Sequence, residues 1–118
     1  MEEERRPALS AEAAERILRF ERDRDWRQFH SPKDLAISLT LEAAELLEIF
    51  QWSGSDTGCE GRQERIAEEL ADVLTCCVMM ADVCGVDLDA AVLQKMARNE
   101  AKYPAEKARG NKAKYTEL

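Results

Sequence analysis

The chain has only one histidine, His30. Di-iron centres in helical bundles take a Glu-x-x-His motif from each of two helices, so one histidine cannot build one. Proline (3) and glycine (5) are sparse in the 118 residues, and no stretch alternates with the two-residue period of a strand, which argues against a β-fold. Long apolar runs are also missing. The longest, "VLTCCVMMADV", falls far short of the ~20 residues of a membrane span. "MEEERRPALS" at the N-terminus carries no apolar signal-peptide core, so a cytoplasmic location is expected. Cys59, Cys76, Cys77 and Cys84 contain no C-x-x-C pair of a zinc site and read as small core residues. No basic cluster offsets the formal net charge of -7, which disfavours binding to nucleic-acid phosphates. An anionic substrate would need a metal to bring it in.

What is present is helical. With 35% charged and 45% hydrophobic residues, the composition is that of a soluble globular protein, and the length fits a single domain, residues 1–118. Ser10 reads as the N-cap of a helix running to about Gln28. Ser31 and Pro32 supply a cap and a first-position proline for a second helix, to about Trp52. The glycine-bearing "SGSDTGCEG" follows as a loop. A third helix spans about Arg62 to Cys84 with Gly85 as C-cap, and Asp87 opens a fourth that stops near Tyr103-Pro104. Short connections between such helices predict an all-α fold, an antiparallel four-helix bundle, with residues 105–118 as a C-terminal arm or tail. Apolar residues on more than one face of the long helices predict self-association as a dimer or tetramer.

One pattern runs against the core. Leu39, Leu46 and Phe50 form an apolar stripe on the second helix, yet Glu42 falls inside it and Glu45 stands one turn on. The third helix repeats this with Glu69 and Asp72, on a face continued by Cys76, Met79 and Val83. The 23 residues between Glu45 and Glu69 suffice to finish one helix, turn and return antiparallel, so the two pairs can face each other. Four carboxylates at close quarters repel one another, and a divalent cation removes the repulsion. All-oxygen ligation selects hard ions, Mg²⁺ or Mn²⁺, over zinc. The plain alternative is that these carboxylates are solvated and pair with Lys or Arg. The neighbouring Glu48 and Glu68 read at least as well as solvated helix faces.

The stretches "RDWRQFHSPKDLAISLTLEAAELLEIFQW", "EELADVL", "GVDLDAAVLQKMARNEAKYP" and "KARGNKAKYTEL" resemble the MazG-like all-α nucleotide pyrophosphohydrolases, in the short bacterial form related to dCTP pyrophosphatase. The likeness extends from Phe20 to Leu118. It implies that Glu42, Glu45, Glu69 and Asp72 bind Mg²⁺, and that the chain converts a nucleoside triphosphate to the monophosphate and pyrophosphate. Glu45 or Glu69 would then take the proton of the attacking water. The likeness also implies that Trp26 and Trp52 stand beside the base and that Lys95, Asn99 and Lys102, on one face of the fourth helix, turn toward phosphate and sugar. His30 more simply orders the turn before Ser31.

Three departures bear on base choice. Cys76 stands where relatives commonly carry an aromatic, leaving space near the substrate. Asp34 replaces an Asn, and the spacer loop is short. The reading from another class is an inactive helical interaction module that keeps the fold; the complete carboxylate quartet speaks against it.

Overall fold

Three of the four long helices begin where a short polar side chain accepts a hydrogen bond from a free backbone N–H. Ser10 Oγ accepts from Ala13 N at 3.0 Å, Ser31 Oγ from Asp34 N at 3.1 Å and Asp87 Oδ1 from Ala90 N at 3.1 Å. The computed structural model describes residues 8–117, and among them there is no strand. The helices are α1 (Ala11–Asp23), α2 (Pro32–Glu48), α3 (Gln63–Cys84), α4 (Leu88–Lys102) and the short α5 (Ala105–Ala108), with 3₁₀ turns at Arg27–Phe29 and Tyr115–Glu117. The chain divides into two compact units, Met1–Gly85 and Val86–Leu118.

In the first unit α2 packs along α3, and α1 packs on α3 as well. Helices α2 and α3 run antiparallel: Glu69, near the start of α3, meets Glu45 near the end of α2, while Cys76 lies beside Glu42. The core holds Leu35, Ile49, Cys76, Val78, Met79 and Ala81, most of them from α3, which is therefore the central helix. It closes at Gly85, whose φ of 66° is the left-handed conformation that glycine adopts without Cβ strain.

Two helix ends differ from the sequence-based expectation. Helix α1 stops at Asp23 instead of continuing to Gln28, in a Schellman turn. Asp25 takes φ 53°, its N–H bonds to Arg22 O at 3.0 Å, and Trp26 N–H bonds to Glu21 O at 3.1 Å. The apolar contact that accompanies such turns is Trp26 on Phe20, edge to face with centroids 5.5 Å apart. Helix α2 stops at Glu48 instead of near Trp52. Phe50 N–H and Gln51 N–H reach back only three residues, to Leu47 O (3.0 Å) and Glu48 O (3.2 Å), which tightens the last turn.

The loop after it is fastened by Arg62, whose Nη1 donates to Asp56 Oδ2 and to Gly58 O, each at 3.0 Å. In the second unit, Tyr103 and Tyr115 meet edge to face at 6.0 Å, and Lys102 Nζ lies 5.0 Å from the Tyr115 ring centroid. No helix among the described residues is long and apolar enough to cross a membrane.

Candidate active site

Helices α2 and α3 each contribute two carboxylates one turn apart, and their antiparallel packing brings the pairs together. One oxygen from each of Glu42, Glu45, Glu69 and Asp72 lies within 4.8 Å of the others. Glu45 and Asp72 are exposed, whereas Glu42 and Glu69 are half-buried. Oε2 of Glu42 and Oε2 of Glu69 are enclosed and have no hydrogen-bond partner. Among the described residues, no ion pair reaches any of the four.

The electrostatics follow from that geometry. Burial, then the neighbouring Glu45, then Asp72 and Glu69 push the Glu42 carboxyl above its ordinary value. Burial also raises Glu69, with Glu45 and Asp72 adding to it and Arg65 opposing. Glu42 and Glu69 each carry an enclosed oxygen that no cationic side chain reaches. Two partnerless oxygens in an all-oxygen donor set fit a hard divalent cation.

A groove of 520 Å³ between α1 and α3 opens beside this quartet. Leu9, Ile17, Phe20 and Leu74 give it apolar walls, and Arg16, Asp72 and Thr75 add polar groups. Asp72 thus belongs both to the carboxylate cluster and to the groove. Trp26, 43% exposed, does not line the groove but packs on Phe20, which does. Trp52 lies in the turns after α2 and is 89% exposed. Lys95, Asn99 and Lys102 share a face of α4 in the second unit, where Asn99 is half-buried and both lysines are exposed. Cys76 is buried, which raises its thiol pKa, with Glu42 adding to the effect. It is not among the residues that line the α1–α3 groove. Asp34 is exposed in the first turn of α2.

Sequence reasoning missed the groove and two side-chain pairings. The groove's α1 wall was legible in principle, since Ala13, Ile17 and Phe20 recur at helical spacing. The pairs were not. Glu21 is 2% exposed and meets His30 Nδ1. Arg27 meets Asp82 of α3, 55 positions away.

Residues 37–118 match the MazG-like family. dCTP pyrophosphatase 1 of Homo sapiens is 46% identical over 104 residues, covering 84% of this chain and 61% of that protein. The Rattus norvegicus protein of the same name is also 46% identical over the same coverage. The chain thus spans 61% of the length of these curated relatives. A crystal structure of a pyrophosphatase from Archaeoglobus fulgidus DSM 4304 superposes with a TM-score of 0.74 at 36% identity, covering 87% of this chain and 99% of that one. The chain belongs to the MazG-like family, and its all-helical fold is the MazG-like fold.

Proposed function

We propose that the chain is a Mg²⁺-dependent nucleoside triphosphate pyrophosphohydrolase, with Mn²⁺ as a substitute, that clears (d)NTPs as a housecleaning enzyme and prefers dCTP-like substrates. The observation that carries this reading is the quartet with its two enclosed, partnerless oxygens. The family membership and the dCTP pyrophosphatase relatives supply the substrate class. The same reading places the chain in the cytoplasm, where such substrates occur. It also closes the long helices into an antiparallel four-helix bundle, assembled as a dimer or tetramer.

Glu42, Glu45, Glu69 and Asp72 would hold the ion, which when bound would supply charge neutralisation and Lewis acidity toward the triphosphate. The bond that breaks joins the α and β phosphates; water adds to give the monophosphate and pyrophosphate. Of the two candidate bases, Glu45 is the better placed, because it is open to solvent and an arriving water, whereas Glu69 has an oxygen enclosed. Trp26 and Trp52 offer aromatic faces to the base. Stacking discriminates weakly among bases, so Asn99 is assigned the base edge or sugar, and Lys95 and Lys102 the phosphates.

The test is a panel of NTPs and dNTPs incubated with Mg²⁺ and resolved by anion-exchange chromatography. Monophosphate with pyrophosphate is expected. Diphosphate with orthophosphate, or no turnover with either Mg²⁺ or Mn²⁺, would overturn the assignment.

A further inference from the structure

The Schellman turn that ends α1 is secured by a pair that the chemistry above does not use. Glu21 is the one charged side chain buried among the described residues, at 2% exposure. Its Oε2 pairs with Nδ1 of His30, the single histidine of the chain. Trp26 lies between the two in sequence and is held at several points. Its N–H bonds to Glu21 O at 3.1 Å, its own carbonyl accepts from Phe29 N at 2.9 Å, and its ring rests edge-on against Phe20. The adjacent Arg27 is tied to Asp82 of α3, and Ser31 caps α2 immediately after His30. The connection from α1 to α2 is thereby fastened to all three helices of the first unit.

A link that served only to join two helices has no need of a buried carboxylate bonded to an imidazole. Removing the Glu21 carboxylate from water is costly, and well-packed apolar residues would stabilise such a position as well or better. What an oriented pair adds is a fixed geometry, and the turn it closes carries Trp26, whose ring packs on the groove-lining Phe20. We infer that Glu21 and His30 are positioning residues that hold the Trp26 indole in place for stacking on the nucleobase. This rests on the reading of Trp26 as a base-stacking face.

The discriminating substitutions are His30→Asn and His30→Gln in the full chain. The Asn amide places an N–H donor near the position of Nδ1, whereas the Gln amide matches the other ring nitrogen; both keep a polar group of similar bulk. His30→Gln is expected to raise KM for the preferred dNTP about tenfold, most of the worth of one base-stacking contact, with kcat little changed. His30→Asn should restore most of the KM. A second readout needs no activity. With Trp52→Phe as background, fluorescence comes from Trp26 alone, and acrylamide should quench it more readily in His30→Gln than in His30→Asn. Equal KM and equal quenching in the two variants overturn the inference, as does a loss of kcat that matches the change in KM. If the parent protein turns over no nucleotide, the activity assignment falls and the quenching comparison decides the positioning role by itself.

Discussion

Replacing Glu42 by Gln should stabilise the metal-free protein while abolishing its response to magnesium. The amide keeps the shape of the side chain and removes one of four negative charges. Carboxylate oxygens within 4.8 Å of one another repel by roughly 1 kcal/mol in bulk water and by roughly 3–4 kcal/mol at an effective dielectric of ~20. Since Glu45 and Asp72 are open to solvent, the lower figure is the better guide, about 1 kcal/mol. The amide also brings an N–H₂ group to a place where Oε2 has no partner, next to carboxylates that can accept from it. A gain of about 1 kcal/mol corresponds to about 4 °C in Tm for a domain of this size. Wild-type protein with Mg²⁺ at ~100 times its Kd should instead gain about 2.7 kcal/mol, on the order of 10 °C.

The pH dependence carries a definite sign. Native Glu42 keeps its proton to higher pH than the unfolded chain, whose glutamates titrate at the ordinary 4.5. The native state therefore binds more protons in the window that starts at 4.5 and ends at the raised native value. The stability that comes from this proton is complete below the window and is lost as pH rises through it. Differential scanning fluorimetry in EDTA, from about pH 5 to pH 8, should show the wild-type Tm falling relative to Glu42→Gln. A Glu42→Gln protein that melts below wild type in EDTA, with a parallel pH profile, would refute the reasoning.

Glu45→Gln should lower kcat by about 10²-fold or more, as expected for loss of a general base, with unchanged far-UV circular dichroism; unimpaired turnover would remove Glu45 from the site. Gly85→Ala should cost about 1 kcal/mol in urea unfolding. No atom lies within 4 Å of the added Cβ, so the cost is wholly that of the left-handed backbone, and a neutral result would show that the α3 cap can relax. Light scattering at micromolar concentration should report a multiple of the 13.4 kDa chain mass, and a monomer would refute self-association.

The carboxylate pairs were legible because helical spacing fixes which residues share a face, and two acidic pairs inside apolar stripes have few structural explanations. The caps at Ser10, Ser31, Gly85 and Asp87 were legible because each is a local hydrogen-bonding or backbone requirement. The end of α1 was not. Asp25 occupies a left-handed position more usual for glycine, and its turn is completed by a Trp26–Phe20 contact that no spacing rule singles out. No spacing rule pairs Glu21 with His30, which the fold brings to it. Arg27–Asp82 depends on how α1 and α2 lie against α3, which local sequence does not encode.

The quartet comes entirely from one helical hairpin, so its parts are close along the chain as well as in space. All four carboxylates lie N-terminal to α4, so a growing polypeptide delivers them from the ribosome before any of α4 emerges. Local contacts form early, and the antiparallel meeting of α2 with α3 is among the most local this fold offers. That first docking event presses like charges together. If the quartet binds magnesium as proposed, the ion would also act as a folding agent for the nascent hairpin, easing the barrier that this repulsion raises.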